Sequence, residues 1–372
     1  MRHSLPTPST RRGQGGFSLM ELMIAVAIGL GLLTALISVF TSSSQSQTEL
    51  SQSAQQIENG RYAMDALTQD AHHAGYFGRY FSTASGTTLP DPCLTGDAAA
   101  LQSAMVFPVQ GIRAANLSTA AALTGTTCAT WLTSANLKAG SDILVVRRAG
   151  TSPLAVGDVA TANDAYVQAS NAAVEVQFGA GAAITSASKA DGSTAATVTT
   201  RTGTAAEIRK YNVRIYFVAP CSIPSGGGSL CTGSSDDGGR PIPTLKRLEL
   251  GVNSAGTRTF NIVPVAEGVE TFKVEYGIDD SPNSANASTG LIGDGAPDRY
   301  VAAPSVAELT NAVTLRAWLV VRNPNPTAGH LDDKTYTVGT GLSTTTANDN
   351  YKRKAYSGEL RLVNLSARRE NP

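Results

Sequence analysis

Hydrophobic positions near the start of the chain form one long uninterrupted segment. From Leu22 to Phe40 there are 19 residues, and none of them is charged. That length suits a single transmembrane helix, which needs about 20 apolar residues. The chain has no proline between Pro8 and Pro90, and proline is the residue that most strongly interrupts a helix. The pattern therefore predicts one helix from residue 17 to about residue 75.

Past the apolar segment, the hydrophobic pattern changes to that of an amphipathic helix. Apolar residues recur there at steps of three and four, the spacing of one helix face. They are Leu50, Ala54, Ile57, Met64, Leu67, Ala71 and Ala74. Arg61 occupies the place between Ile57 and Met64 and is the only interruption. We expect this stripe to pack on a globular head formed by the same chain.

Short segments rich in β-branched or alternating apolar residues follow the helix and predict strands. They are Ala104–Val109, Asp142–Arg147, Val174–Phe178, Asn212–Val218, Leu245–Leu250, Thr271–Tyr276, Ala312–Val321 and Leu360–Val363. Residues 82–205 are rich in Ala, Thr, Ser and Gly, and residues 179–204 predict a loop or a variable insertion. The fold class we predict is α+β, with a long N-terminal transmembrane and amphipathic helix packed on a mainly antiparallel β-sheet head of residues 76–372.

Composition agrees with a folded, exported domain. Hydrophobic residues make up 42% of the 372-residue chain and charged residues only 16%, which argues against disorder. The formal net charge is zero, and without residues 1–16, which hold three arginines and no acid, 26 basic residues face 29 acidic ones. This balance gives no global basic field for nucleic acid.

Charge around the apolar segment predicts its orientation. Arg2, Arg11 and Arg12 precede the segment, whereas Thr41–Thr48 carries no charge. Because positively charged flanks stay in the cytoplasm, we expect residues 1–16 inside and the head outside.

The four cysteines then face an oxidising compartment, where an even number of cysteines indicates disulfides. Four cysteines allow three connectivities. Cys221 and Cys231 bracket a Gly/Ser-rich loop that a bond closes easily. We therefore expect the pairs Cys221–Cys231 and Cys93–Cys128. A zinc site is the alternative, but the CxxC spacing and a histidine cluster are both missing.

Catalytic patterns are absent from the sequence. It has no P-loop, no G-x-S-x-G and no H-E-x-x-H. Adjacent helical residues point in different directions, so His72 and His73 do not form a metal site easily. The acids of the Asp279–Asp298 segment offer oxygen ligands for calcium, but without EF-hand spacing a solvated turn is the simpler interpretation. The sequence thus predicts no catalytic residue, no metal site and no cofactor.

One acid breaks the apolar pattern near its start. Glu21 follows Gly16-Phe17-Ser18-Leu19-Met20 and precedes the uncharged segment, and a carboxylate in hydrocarbon is costly unless it finds a partner. This arrangement resembles the class III signal of type IV prepilins. The resemblance implies a leader of residues 1–16 that a prepilin peptidase removes between Gly16 and Phe17, followed by N-methylation of Phe17. It also implies that Glu21, then the fifth residue, pairs with the N-terminal amine of a neighbouring subunit.

Segments at both ends of the chain look like the PilW family of minor pilins. They are Glu58–Asp65, Ala74–Tyr76, Ser141–Arg147, Glu267–Glu270, Tyr276–Asp279, Val313–Arg322 and Arg361–Asn364. Most of residues 82–205 departs from the family pattern. The resemblance implies a pilin-like fold in which residues 17–41 form the transmembrane and fibre-core helix and residues 42–75 form the amphipathic helix on the head.

The function that the resemblance implies is structural and not enzymatic. It is that of a minor pilin, with other minor pilins, the major pilin and the inner-membrane assembly platform as partners. The size of the head, which a thin fibre does not easily tolerate in every subunit, predicts a low-copy position at or near the pilus tip, where the protein primes assembly. The protein is then expected in the bacterial inner membrane, with one span and a periplasmic head, and in the pilus at the cell surface. Two alternatives stay open, a type II secretion minor pseudopilin and a membrane-anchored periplasmic enzyme or sensor. The C-terminal pattern argues against the pseudopilin, and N-terminal sequencing separates a pilin from an anchored enzyme.

Overall fold

The structure is a computed structural model, and it divides into two units, Met1–Gln52 and Ser53–Pro372. It describes residues 16, 18–80, 86–113, 123, 126–193, 198–281, 293–339, 343–344 and 347–370. The helices are α1 (Leu19–His73), α2 (Ala98–Ser103), α3 (Val306–Thr310) and α4 (Val363–Glu370). The long helix predicted from residue 17 to about 75 is therefore confirmed as α1. Most of the predicted leader, residues 1–15, and also Phe17 lie outside the described residues.

The strands form antiparallel sheets, as the fold class predicts. They are β1 (Val109–Ile112), β2 (Ile143–Pro153), β3 (Ala165–Ala169), β4 (Val174–Phe178), β5 (Ile208–Ala219), β6 (Thr244–Val252), β7 (Arg258–Glu267), β8 (Val269–Ile278), β9 (Arg299–Val301), β10 (Ala312–Arg322), β11 (Tyr336–Thr337), β12 (Ser343–Thr344) and β13 (Arg353–Arg361). A seven-stranded sheet contains β1–β7, with β5 paired to β2, β3 and β6. A four-stranded sheet has the order β13-β10-β8-β9.

Strand β5 is buried along most of its length because both faces of the seven-stranded sheet are covered. Tyr216 and Val218 face a core shared with α1 and the four-stranded sheet. Tyr211 and Phe217 face a second core, which contains both disulfides. Burial on both sides explains why the second half of β5, Ile215–Ala219, is an uninterrupted apolar run.

The chain passes from one sheet to the other through a single residue. Gly268 links β7 to β8 with φ of +79°, a conformation that glycine adopts without steric cost. A Cβ atom at this position would also collide with the backbone oxygen of Arg322. Gly268 therefore allows the two sheets to join with no intervening loop.

The buried face of α1 differs from the predicted stripe. Within the second unit, Leu67 and Ala71 are buried as expected. Ala54 and Ile57 are exposed, so the prediction is wrong for the first half of the stripe, where Leu50 is exposed as well. Arg61 also lies on this exposed face, and it therefore does not interrupt a buried stripe. The buried face begins instead with Gln56, Gly60 and Ala63.

Two predicted strands are also wrong in their type or bounds. Residues 104–106 form a 3-10 turn that continues α2. The start of α2 is capped by Asp97, which accepts a hydrogen bond from the Ala99 amide. Near the C terminus, the strand predicted over Leu360–Val363 is the end of β13, and Val363 already starts α4. The strands predicted around Asp142, Val174, Asn212, Leu245, Thr271 and Ala312 are confirmed as parts of β2, β4, β5, β6, β8 and β10.

Candidate functional site: the N-terminal helix and its contacts in the head

The N-terminal part of α1 is long and apolar enough to cross a membrane, and its apolar window is not buried against the rest of the protein. Its hydroxyl groups bond to the helix backbone. Thr34 Oγ1 donates to the carbonyl oxygens of Leu30 (3.0 Å) and Gly31 (2.8 Å), and Thr41 Oγ1 donates to that of Ile37 (3.0 Å). Polar groups satisfied in this way can lie in hydrocarbon, where no water is available.

Glu21 lies in the first turn of α1 and is exposed. It is the only charged residue from Leu19 to Thr48. The positive end of the helix dipole favours a carboxylate in the first turn, but no described residue bonds to its side chain. Gly16 is exposed just before the helix. The cleavage at Gly16 and the pairing of Glu21 stay predictions.

Two amide side chains attach the C-terminal part of α1 to the strands of the head. Gln56 is buried and its Nε2 donates to the carbonyl oxygens of Val321 (2.7 Å) and Lys352 (3.0 Å). Asn59 Nδ2 donates to the carbonyl oxygen of Glu267 (3.1 Å). These carbonyl groups lie at or next to the ends of β10, β13 and β7. Hydrophobic periodicity could not reveal this contact because it is made by polar residues.

Glycines allow α1 and β13 to approach closely. A Cβ atom on Gly60 would overlap the ring of Tyr356, and a Cβ atom on Gly358 would lie 2.6 Å from the terminal methyl of Met64. Each glycine thus leaves the space that a large side chain of the other element fills. This reciprocal packing fixes the position of the helix along the strand.

Asp70 connects α1 to the seven-stranded sheet through a buried charge network. Its carboxylate is 1% exposed and accepts hydrogen bonds from Arg214 Nη1 (2.6 Å), Tyr216 Oη (2.5 Å) and Arg148 Nε (3.2 Å). Arg247 Nη1 lies 3.8 Å away and also donates to Tyr216 Oη. Burial and the neighbouring carboxylate raise the pKa of Tyr216, so its hydroxyl stays a donor.

The C-terminal helix α4 caps the end of α1. Asn364 Nδ2 donates to the carbonyl oxygens of His72 (3.2 Å) and Ala74 (3.1 Å), and Arg368 donates to that of Gly75 (2.9 Å). The last carbonyl groups of a helix lack intrahelical partners and carry partial negative charge. An amide and a cation from α4 satisfy them here, and sequence analysis missed this because it predicted a strand over Leu360–Val363 and no helix after it.

Both predicted cysteine pairs are disulfides in the structure. Cys93 and Cys128 have Cα atoms 5.0 Å apart, and Cys221 and Cys231 have theirs 5.8 Å apart. Each pair lies beside an aspartate, Asp91 or Asp236. The sulfur atoms are used in S–S bonds, so neither group offers thiolate ligands to a metal.

Aspartates of the calcium candidate are used in other contacts. Asp279 Oδ2 accepts from Arg369 Nε (2.9 Å), and Asp280 Oδ2 accepts from Arg299 Nε (2.6 Å). Asp298 accepts from the Asp280 amide (2.7 Å). Arginines and a turn amide thus take the oxygen atoms that a calcium ion would need.

Two family models match the chain. The model described as Type IV Pilus-assembly protein W matches residues 232–364. The model described as Prokaryotic N-terminal methylation motif matches residues 11–37. The chain is thus similar to the first from just before β6 to the start of α4, and to the second around Glu21. No curated protein and no solved structure matches the chain at a significant level.

Proposed function

We propose that the chain is a PilW-like type IV minor pilin that acts in pilus assembly, and that it is made as a prepilin. A prepilin peptidase removes residues 1–16 by cutting between Gly16 and Phe17, and Phe17 is then N-methylated. The match of the methylation motif to residues 11–37 supports this processing because it spans the proposed junction.

A single observation carries the mechanism of assembly. Glu21 is the one charged residue from Leu19 to Thr48, and it directly precedes the exposed apolar segment Leu22–Phe40. Cleavage creates a positive amine at Phe17, and this amine pairs with Glu21 of an adjacent subunit. In a low-dielectric bundle of helices, an unpaired charge costs several kcal/mol. Pairing therefore favours subunits that are correctly aligned. The apolar helices leave the lipid and pack against one another with little change in free energy, because both surroundings are apolar.

The protein starts as a membrane-anchored pilin, with its single span in the inner membrane and its head in the periplasm. The arginines that precede the apolar segment and the two disulfides that follow it support this orientation. Its partners are other minor pilins, the major pilin and the inner-membrane assembly platform. Domains of pilin families are structural, and the large head suits a low-copy position at or near the tip, where the protein primes assembly.

Mass spectrometry of the protein from cells tests the processing step. We expect a mature chain that begins at Phe17 and carries one N-terminal methyl group. A chain that keeps Met1 and its first sixteen residues would instead identify a membrane-anchored protein that is never processed.

Incorporation into sheared pili tests the pairing step. Glu21→Ala is expected to insert into the membrane normally but to lower the amount in sheared pili by at least about tenfold, because the amine of its neighbour loses its partner. Glu58→Ala is the matched control, since Glu58 is an exposed acid further along the same helix. Equal incorporation of the two variants would rule out the pairing role.

A further inference from the structure

Strand β13 is a long edge strand of the four-stranded sheet. It has 9 residues and pairs with β10 along its whole length without a register shift. Within the described residues, no strand pairs with its other side. Ala355, Ser357 and Glu359 are exposed, and Gly358 is half-buried. This edge is therefore accessible to solvent and to another chain.

The hydrogen bonds at the two ends of the β10–β13 ladder show which backbone groups face outward. The Leu362 amide donates to the Val313 carbonyl (2.9 Å), and the Asn323 amide donates to the Lys352 carbonyl (3.0 Å). Bonded and non-bonded residue pairs alternate in an antiparallel ladder, so every second residue of β13 directs its N–H and C=O groups away from β10. These residues are Arg353, Ala355, Ser357, Glu359 and Arg361.

Other edge strands of the two sheets are protected against further pairing. Strands β1 and β9 have only 4 and 3 residues, and β4 contacts α2, whose Gln102 side chain accepts a hydrogen bond from the Val176 amide. Strand β7 is long, but its pairing with β6 has a register shift and Pro264 has no N–H group. Short length, cover, irregular pairing and proline all keep sheet edges from adding a strand. Residues 355–358 of β13 have none of these features.

Charges near the ends of β13 disfavour pairing with a second copy of the chain. When two β13 strands pair antiparallel about Ser357, Arg353 of one copy lies opposite Arg361 of the other. Like charges directly opposite each other destabilise a sheet, and charged residues on an edge keep identical strands apart. The occupant of this edge is thus a strand of different sequence.

Two cations border the edge on the side of α1. Lys354 Nζ lies 5.8 Å from the centre of the Tyr356 ring. The nearby charge of Arg61 on α1 partly offsets the rise that burial causes in the pKa of the same tyrosine. Both cations are exposed, and neither forms an ion pair with a described residue, although Glu58 and Asp65 lie one turn from Arg61. An acidic side chain on an added strand would find opposite charges here.

We propose that the edge of β13 receives an extended segment of another protein, which adds as a further strand to the four-stranded sheet. The backbone of the segment bonds to the outward N–H and C=O groups, and its alternate side chains lie toward α1, where an acid meets Lys354 and Arg61. In strand addition, main-chain bonds supply affinity and alternate side chains supply specificity. The inference concerns the head alone and does not rest on the proposed processing.

Photo-crosslinking in cells tests the proposal on the full-length protein. Benzoylphenylalanine replaces Ala355 on the open edge, and mass spectrometry identifies the peptide that is joined to it after illumination. We expect a single segment of one other protein, with an acidic residue in that segment. Crosslinks only between copies of this chain, or no crosslink at all, would overturn the proposal.

Variants of Ser357 show whether the contact runs through the backbone. Ser357→Pro removes an outward N–H group and no bond to β10, and edge strands tolerate proline on their open side. It should lower the crosslink yield at least about tenfold, because the added strand loses a hydrogen bond and meets the ring instead. The matched control Ser357→Ala keeps the N–H group and should keep the yield. Equal crosslinking in the two variants would refute backbone pairing.

Hydrogen exchange examines the same edge without a proline. In the free full-length protein in detergent, the outward amides of Ala355, Ser357 and Glu359 should exchange at least about tenfold faster than those of Tyr356 and Gly358, which bond to β10. In the crosslinked complex, the outward amides should slow to the rates of their neighbours. Outward amides that stay fast in the complex would contradict strand addition.

Sheared pili separate this inference from the proposed function. A crosslink at Ala355 in cells whose pili lack the protein would support the strand-binding edge and contradict the pilin role. Protein that is present in pili but forms no crosslink at Ala355 would contradict the strand-binding edge alone.

Discussion

Replacement of Asp70 by asparagine tests how α1 is held in the head. The substitution keeps the shape of the side chain but removes the charge that three arginines share. Arg148, Arg214 and Arg247 then face one another around a neutral group, and Tyr216 loses its charged acceptor.

The magnitude follows from the burial of the network. Removing one partner of a buried ion pair costs about 3–5 kcal/mol, and a hydrogen bond to a charged group contributes about 1.5–3 kcal/mol. Asp70 is fully buried, but the arginine side chains are 15–23% exposed, so water compensates part of the loss. We therefore expect Asp70→Asn to lower the free energy of unfolding by about 3 kcal/mol, out of a typical 5–15 kcal/mol.

Urea denaturation of the full-length protein in detergent, followed by the fluorescence of Trp131 and Trp318, measures this change. Asp65→Asn is the matched control, because Asp65 is an exposed acid on the same helix and surface changes are usually within about 0.5 kcal/mol. Tyr216→Phe should fall between the two, since it removes the hydrogen bonds of the Tyr216 hydroxyl to Asp70 and Arg247 but keeps the ion pairs. An Asp70→Asn variant as stable as Asp65→Asn would refute the reasoning.

Three further predictions concern the rest of the head. In urea denaturation, Gly268→Ala should lower the free energy of unfolding by about 2 kcal/mol more than Gly256→Ala does. Both glycines have positive φ, but only the Cβ atom at position 268 meets the Arg322 backbone. Equal losses of stability in the two variants would contradict this. Arg369→Met should lower the free energy of unfolding by about 3–5 kcal/mol, since it leaves the buried Asp279 without its cation, and an unchanged urea midpoint would exclude that role. Burial opposes ionisation of Asp236, but hydrogen bonds from the Gly233 amide, the Ser225 amide and Thr232 outweigh it and hold its pKa well below the ordinary value. The ionised carboxylate of Asp236 therefore stabilises the fold above about pH 4, and this contribution is lost as the pH falls through the pKa of the folded state. In Asp236→Asn, the melting temperature should consequently fall less steeply as the pH is lowered. A fall as steep as in the wild type would show that another group is responsible.

Periodicity and composition predicted the elements whose signal is local. The apolar segment and the absence of proline predicted α1, and β-branched runs predicted β5, β8 and β10. The Gly/Ser-rich loop between Cys221 and Cys231 predicted their disulfide, because the loop is short and flexible. These features depend on residues that are close in the sequence, where spacing alone carries the information.

Errors arose where a distant contact decides the structure. Ile57 was expected to be buried, but Gln56 is buried in its place. The reason is that Gln56 donates hydrogen bonds to the carbonyl groups of Val321 and Lys352, which the pattern of hydrophobic residues cannot predict. Likewise, the end of α1 is capped by side chains of a C-terminal helix, and Val363, which the sequence predicted to end a strand, starts α4 instead. The network around Asp70 was missed for the same reason, since its members come from α1 and from three separate strands.

The sequence by itself determined that this chain has an apolar N-terminal helix with one acid, a prepilin-like junction before it and a β-rich, disulfide-bonded head. Each of these properties is written in consecutive residues or in their regular spacing. Only the tertiary structure decided which face of the helix is buried, which carboxylates meet which arginines and which edge of a sheet is left open. Those outcomes depend on the free energy of contacts between residues up to about 300 positions apart, as between Gln56 and Lys352, and such contacts form only when the sheets are assembled.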